Sequence, residues 1–507
     1  MSTRIKILRD GNLLCVWQPG DRAKTILEQA LSYDKIRTLH GYEKAVAGTA
    51  IETLPTECFY YRDGSLFTNY GYRQLISKLL LANGYEIVYS DVRPHPDPSV
   101  FAPCWDRLSD VVFRHGQRAV LEAMVANEYG RILCPTGWGK SFLIGLLGVL
   151  WPKAKIDITT KSADISRHLY SELQNFLPDV GLYGAGKRKR DSRVQIYCAG
   201  SLRHSPYDAD VLIGDEVHEL AAPSFISHLA AYRNSRNYGF SASHDQRLDN
   251  ADFELLGLFG PIICRVSYDE AEKAHLIVPI QVRWRDVVTN SNPCQGLSDV
   301  PMRRRGIWQH RYRNEQIVAD ARSYDADSQV LITVETIEHA VYLKMLLPEF
   351  TLVYSDNGLK AEDRLDYIRR GLLPADHPIM TPERRYALRM AFEKGELKKV
   401  IATSVWNRGV NFCQLSVLIR ADGGGSAIND TQIPGRVSRI SEGKESSIVH
   451  DYRDQFDRRF LHRAQRRYAN YQKHGWQQVS AVNPRRIMSH GINLPAMRRI
   501  PYGQKGW

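Results

Sequence analysis

Three short stretches carry residues whose types and spacing suit chemistry on a phosphate. Cys134-Pro135-Thr136-Gly137-Trp138-Gly139-Lys140-Ser141 lies between two apolar runs, Arg131-Ile132-Leu133 and Phe142 through Leu150. Read as strand, loop and helix, this is a phosphate-binding loop. Gly137 and Gly139 let backbone N–H groups turn inward, and the helix start adds the positive end of its dipole. Lys140 can reach the β- and γ-phosphates, and Ser141 can hold Mg²⁺. A plain structural turn is the bland alternative, and Cys134 stands where a first glycine is usual. About 75 residues on, the apolar run Val211-Leu212-Ile213-Gly214 delivers Asp215-Glu216-Val217-His218 to a strand end, where open parallel sheets bind ligands. Asp215 would hold Mg²⁺ through its water shell, and Glu216 would orient and deprotonate an attacking water. In the third stretch, Asn429 to Ile440, Arg436 and Arg439 are three apart. At helical spacing they face one way and could clamp a γ-phosphate; a solvated face is the alternative.

Such residues must be held by sheets. The 507 residues allow three or four ordinary domains, and a hydrophobic content of 43% supports real cores. From 105 to 280, apolar strand-like runs alternate with helical stretches, as in a parallel α/β sheet. Ile156 to Thr160, with Lys161 beyond it, Val194 to Tyr197, ending near Ser201, and Tyr238 to Ser243 are further strands. Lys187 to Arg190 reads as a solvated loop able to touch backbone phosphates. Residues 286–315 are irregular and basic and are expected to join two halves. A second α/β pattern runs over 316–452, with strands at Val330–Val334, Thr351–Tyr354 and Val400–Thr403 and helices at 336–347 and 382–394.

The ends differ in kind. Residues 1–92 show two hairpin signals, around Asp10-Gly11-Asn12 and Arg62-Asp63-Gly64, with helical spacing at 21–33 and 72–80, a small α+β module. Its aromatics beside arginines could stack on nucleic acid, though core packing suits most of them better. Pro94, Pro96, Pro98 and Pro103 mark a stiff linker over 93–104. The net charge of +12 favours a polyanionic partner, and 453–507 holds twelve Lys/Arg against two Asp. The eight scattered cysteines form no CxxC pair, which argues for reduced thiols and against a zinc module. No secretory segment opens the chain and no run has the length of a membrane span.

Together the stretches resemble superfamily 2 helicases and translocases, in that group's motif order, over about 110–452. Phe113-Arg114-His115-Gly116-Gln117 resembles the adenine-reading element, with Gln117 as its glutamine. The loop Pro135, Thr136, Gly137, Trp138, Gly139, Lys140, Ser141 resembles the first ATPase motif, and Asp215 to His218 a DExH box. Ser241-Ala242-Ser243 resembles Ser-Ala-Thr. Ile401-Ala402-Thr403 with Gly409-Val410-Asn411 is similar to the motif joining DNA to nucleotide. Gln432, Gly435, Arg436 and Arg439 match Gln-x-x-Gly-Arg-x-x-Arg, the source of arginine fingers. Within the superfamily, Leu256 to Pro261 and the stretch from Glu270 to Ile280 look like the XPB-like and phage branch-migration group.

The resemblance implies two RecA-like parallel-sheet lobes, 105–285 and 316–452, a nucleic-acid-binding α+β module before them and a basic extension after. It implies ATP and Mg²⁺ in the cleft between lobes. Gly409 would also touch nucleotide, and Thr160, Lys161, Ser201, Thr333 and Thr403 would touch nucleic acid. The expected activity is ATP-dependent unwinding or branch migration of forks, Holliday-type junctions or R-loops in recombination and repair, by a monomer in the cytoplasm, a host's if phage-encoded. DNA is the expected partner, with RNA present in hybrids. The rivals are an RNA helicase, the motor of a restriction or defence complex, and a non-catalytic binding module. Extra sequence at 359–380, with Arg364, Arg369 and Arg370, is either a junction contact or a passive excursion.

Overall fold

The computed structural model describes residues 4–38, 51–94, 97–242, 250–355, 358–406, 412–424 and 427–480. Three sheets and a hairpin organise them. The first lobe is an eight-stranded sheet. Its order is Lys187–Arg188, Val180–Gly184, Val194–Cys198, Ile156–Thr160, Val211–Asp215, Arg236–Ser241, Tyr129–Leu133, Ile262–Arg265. All pairings are parallel except the short Lys187–Arg188 edge. The central strands are buried along their whole length, and in Val211–Asp215 this shows in the sequence as an apolar run up to the acidic end. The helix Lys140–Leu150 is apolar nearly all round because it is buried. A Cβ at its Gly148 would stand 2.8 Å from Leu177 Cδ1, so the missing side chain sets the packing distance there.

The second lobe is a seven-stranded, wholly parallel sheet. Its order is Thr351–Val353, Lys399–Ala402, Val330–Thr333, Val417–Arg420, Ser447–Asp454, Ile280–Val287, Gln477–Ser480. This corrects two expected boundaries. The strand Ile280–Val287, which the expected boundary at 285 splits between the first lobe and the connector, pairs along all eight residues with Ser447–Asp454 of the second lobe. Residues 286–315 are not a loose connector, because Met302, Ile307 and Trp308 are buried in the second lobe's core.

The basic extension is also part of that lobe as far as residue 480. After Asp454 comes the helix Arg458–Lys473, then the edge strand Gln477–Ser480. Its Arg467 is buried, with Nε donating to Asp451 at 3.0 Å, and Tyr471 donates its hydroxyl to the same carboxylate at 2.8 Å. Arg420 joins this network through Asp430 and the Tyr471 hydroxyl. A linear charge count of the extension misses the counter-charge of Arg467, which is Asp451 on the preceding strand. Residues 481–507 lie outside the described residues. The stretch 359–380 forms the helix Ala361–Arg369, and Leu373 and Met380 are buried in the second core.

The five-stranded sheet of the first ninety residues runs Phe59–Arg62, Ser65–Asn69, Leu13–Val16, Arg4–Asp10, Glu86–Asp91. Helices Asp21–Leu31 and Arg73–Ala82 pack on one face through Leu27, Leu31, Ile76 and Leu80. The module is docked on the first lobe. Asn12 donates to the Tyr232 carbonyl at the tip of one hairpin. Tyr72 donates to the Phe253 carbonyl at 2.8 Å, and a Cβ on Gly71 would run into the backbone of Leu256 and Gly257. The Leu256 to Pro261 stretch singled out from sequence is thus part of the module's seat. The proline-containing segment after it is packed too, with Phe101 edge-on to Trp151 at 5.6 Å and under Arg236.

No helix among the described residues is long and apolar enough to cross a membrane. Two buried histidines make the second lobe acid-sensitive. His310 caps the helix Arg311–Arg322, accepts from the Arg313 N–H at 3.1 Å and stacks on Phe456. Burial, then the Arg313 charge, lowers it to about 4, and the same causes hold His339 well below its ordinary value. Each stays neutral in the folded chain while the unfolded chain takes a proton near pH 6.5. The stability they allow is therefore full above that pH and falls as pH drops below it; for His310 it is lost between 6.5 and about 4, by about 1.4 kcal/mol per unit. The urea midpoint of His310→Asn, which keeps a capping acceptor, should fall less between pH 7.5 and pH 5 than the wild-type midpoint. Equal falls would show that His310 is not a source of the acid sensitivity.

Candidate active site

The cleft between the lobes, about 740 Å³, is lined from both sides. From the first lobe come Val112, Arg114, Gln117, Thr136, Gly137, Gly139, Lys140, Ser141, Asp215 and Glu216; from the second come Gln432, Arg436 and Arg439. The loop is built as its residues demand. It leaves the strand Tyr129–Leu133 and enters the helix at Lys140, with Gly137 at φ 88° and Gly139 at φ 106°. Those angles are left-handed, and a Cβ on Gly139 would stand 2.7 Å from the Gln117 amide nitrogen.

Gln117 is fully buried and braces this loop. Its oxygen accepts from the Arg114 N–H at 3.0 Å and its nitrogen donates to the Trp138 carbonyl at 3.1 Å. Pro135 and Trp138 do not line the cleft. The Trp138 ring sits in the core, with its N–H donated to the His115 carbonyl at 3.2 Å. Phe113 also packs against the core, and the 89% exposed Val112 lines the cleft in its place. Alternation along this segment turns neighbouring side chains opposite ways, so the aromatic is the one drawn inward.

Lys140 and Glu216 pair directly. Burial works against the Lys140 charge, but Glu216 and Asp215 outweigh it and raise its pKa. Burial likewise pushes Glu216 up, and Lys140 followed by His218 outweighs it, so Glu216 is held below the usual carboxylate range. Asp215 goes the other way. Burial raises it, to about 6, with Lys140 opposing. Its Oδ1 is buried with no hydrogen-bond partner, and Ser141, at a helix N-terminus, lines the same cleft. That donor set, Asp215 and Ser141 on the cleft wall, fits a hard divalent cation such as Mg²⁺.

Glu216 sits at φ 52°, a left-handed turn that ends the strand Val211–Asp215 and sends His218 back toward the sheet. His218 joins the lobes. Its Nε2 is 2.8 Å from the Gln432 amide nitrogen and its Nδ1 is 2.8 Å from Ser241 Oγ. Glu216 Oε2 is 3.5 Å from the same Nδ1. Ser243 and Gly409 lie outside the described residues.

The two arginines reach the cleft by a different path from the expected shared helix face. The helix Ala427–Gln432 stops short of Pro434, which has no N–H to continue it and opens the tighter turn Pro434–Ser438. Arg436 lies in that turn and Arg439, in extended conformation, beyond it. Arg439 Cγ comes within 3.2 Å of where a Gly137 Cβ would be, so it lies over the glycine loop itself. Burial, then Arg439, lowers the pKa of Arg436, with Glu216 and Glu219 opposing.

Several participants carried no sequence signal. Glu172 lines the cleft with His168, four residues before it on the helix Ala163–Leu173. Burial pushes Glu172 up, but hydrogen bonds from His168 and Ser141 hold it low. Nothing in its spacing from Lys140 pointed to it. Tyr268 of the first lobe is edge-on to His474 at 5.1 Å and to Trp476 at 5.3 Å, and its hydroxyl would lie 2.5 Å from a Cβ on Gly435. The five residues expected to touch nucleic acid all lie away from the cleft lining. Thr160, Thr333 and Thr403 are buried at or just past strand C-termini, and the Thr160 hydroxyl is shared with Ser166 at 2.8 Å. Lys161 is exposed, and Ser201 is half-buried against Gly184.

Comparison with known proteins agrees with this architecture. The profile of the helicase conserved C-terminal domain matches residues 314–441. The curated protein named "Putative helicase 22" of Sulfolobus islandicus filamentous virus (isolate Iceland/Hveragerdi) is 24% identical over 363 residues, 64% of this chain and 60% of its own length. Among solved structures, S. cerevisiae Dbp5 in a variant bound to RNA and ADP BeF3 matches 76% of this chain and 94% of its own. The TM-score is 0.50 and the identity 13%. The phage T4 UvsW structure matches 95% of this chain and 99% of its own, at TM-score 0.40 and 16% identity. The lobes are RecA-like in fold, and the second carries a helicase C-terminal domain.

Proposed function

We propose, from two RecA-like lobes and a helicase C-terminal domain, that this chain is an ATP-driven DNA helicase or translocase of the superfamily 2 DExH type. The observation that carries the reading is the single cleft to which one lobe brings Lys140, Asp215 and Glu216 and the other brings Arg436, Arg439 and Gln432. In this reading Lys140 and the loop N–H groups hold the phosphates of ATP. Asp215 and Ser141 would hold Mg²⁺, which supplies charge neutralisation at the phosphate oxygens. Glu216, ionised at neutral pH, takes the proton of the attacking water. Arg436 and Arg439 stabilise the charge that develops. His218 and Gln432 link the state of Glu216 to the second lobe, so that turnover opens and closes the cleft.

The resemblance of Leu256 to Pro261 and of Glu270 to Ile280 to the branch-migration group favours forked, Holliday-type or R-loop substrates in recombination and repair. The free cysteines fit a reducing cytoplasm. The test is ATP hydrolysis by wild type and Lys140→Ala with single-stranded DNA, forked DNA, a four-way junction and single-stranded RNA at one salt concentration. Stimulation by branched DNA, lost in the variant, is expected. Stimulation by RNA alone would move the chain to the RNA helicases, and no stimulated turnover at all would remove the motor reading.

A further inference from the structure

The sheet of the first ninety residues has two unlike faces. Ile5, Ile7, Leu14, Val16 and Leu66 point to the face covered by helices Asp21–Leu31 and Arg73–Ala82. Strand residues alternate, so the residues between them belong to the opposite face. The register fixes which ones meet. Leu8 pairs with Cys15, Cys15 with Phe67 and Phe67 with Tyr60, one row across four strands. Beside that row, the Trp17 N–H donates to the Lys6 carbonyl at 2.9 Å, and Lys6 pairs with Val88.

The rings at the edges of this face are in the open: Trp17 and Tyr60 are each 51% exposed and Val88 is 43% exposed, while Cys15 between them is buried. Tyr60 lies parallel to Phe67, its partner on the next strand, with centroids 5.3 Å apart and planes 11° apart, so a second ring stands beside it on the same face. Exposed rings of this size cost solvation unless something covers them. Charges border them. Lys6 and Arg62 lie on the same face; Arg62 has the exposed Asp63 carboxylate at 3.8 Å, and Arg4 is balanced by Glu86 at 3.0 Å. An aliphatic protein surface would meet rings interrupted by charge. A nucleic-acid strand offers flat bases to the rings and phosphates to Lys6 and Arg62. With strands about 4.8 Å apart, Tyr60 and Trp17 are on the order of 10 Å apart, room for two or three nucleotides.

We infer that the open face carrying Trp17, Tyr60, Phe67, Lys6 and Arg62 binds a single strand of nucleic acid by stacking bases on the rings. The inference extends the proposed motor reading by a second nucleic-acid surface, on the module rather than on the lobes. The strand would be held by ring faces, with little sequence preference and with affinity falling as salt rises.

The test uses the full chain and fluorescein-labelled oligo(dT) and oligo(U) of about twelve nucleotides, a span within the range such surfaces take. Anisotropy gives Kd for wild type, Trp17→Ala, Tyr60→Ala, the double variant and Tyr60→Phe. Each alanine should weaken binding by roughly tenfold and the double variant by more, because a stacked base is worth about 1–3 kcal/mol. Tyr60→Phe should bind as wild type does, since the ring and not the hydroxyl is used. Unfolding midpoints exclude a folding defect. A double variant that is folded and binds both strands within about twofold of wild type would overturn the inference, as would a wild type that binds neither strand. Wild-type ATP turnover, read in the same buffer, separates the two readings. Ring-dependent binding without turnover keeps the face and removes the motor; turnover with ring-independent binding does the reverse.

Discussion

Glu216→Gln is expected to lower the turnover number for ATP hydrolysis by roughly 10²–10⁴-fold, the usual worth of a positioned general base. The amide keeps the shape and the hydrogen bond from the Ala242 N–H, at 3.4 Å in the wild type, but cannot take a proton. Nucleotide affinity should change much less. Lys140 loses its carboxylate partner and is freer to serve a phosphate. The wild-type carboxylate is held below its ordinary range by Lys140 and His218 against burial, so it is in the basic form throughout neutral pH. Single-turnover hydrolysis with a parallel fluorescent-nucleotide titration checks this. A variant within about threefold of the wild-type rate would assign the base to another group, and Glu219, buried three residues on, would be examined next.

Replacing Arg436 should be the more severe change for chemistry and the milder one for the fold. Arginine fingers are worth about 10³–10⁵ in turnover, and lysine lacks the planar fork. Both Arg436→Met and Arg436→Lys are therefore expected to lose roughly three orders of magnitude or more. Stability should move the other way. Burial and the like charge of Arg439 disfavour the Arg436 cation in the folded chain, lowering its pKa to about 9. At neutral pH, below the lowered value, that penalty is present in full, and methionine removes it. The unfolding midpoint of Arg436→Met should match or exceed that of wild type while turnover collapses. A lower midpoint with activity largely kept would mean that the arginine serves packing instead. A site that carries a stability cost in return for activity is the pattern expected of a functional group.

Much of this site could be read from the residues alone, for a physical reason. The loop before Lys140 is local: strand, glycines, lysine and helix follow one another, and the backbone angles of Gly137 and Gly139 are those the sequence implied. The strand carrying Asp215-Glu216 was legible because burial on both faces leaves an unbroken apolar run. Contacts made across long separations were not legible. Glu172 reaches the cleft only because its helix packs beside the loop. The shared helix face expected for Arg436 and Arg439 failed on a single Pro434, which changes the turn without removing either group from the cleft. The end of the second lobe was misjudged because charge counts describe a segment by itself, and the partners of Arg467 and Tyr471 lie on the strand Ser447–Asp454.

The interleaving of the second sheet has a consequence for synthesis. The strand Ile280–Val287 leaves the ribosome directly after the first lobe. Its two neighbours, Ser447–Asp454 and Gln477–Ser480, follow only after roughly 160 and 190 more residues. At about 5–20 residues per second it waits unpaired for on the order of ten seconds or more. An apolar strand exposed that long is a template for aggregation. This one reads Ile-Gln-Val-Arg-Trp-Arg-Asp-Val, with Arg283, Arg285 and Asp286 set among Val282, Trp284 and Val287. In the finished fold Arg285 is paired with Asp320, and the Arg283 side chain donates to Gln281 at 2.8 Å. During the wait the same charges guard the strand against joining another nascent copy of itself.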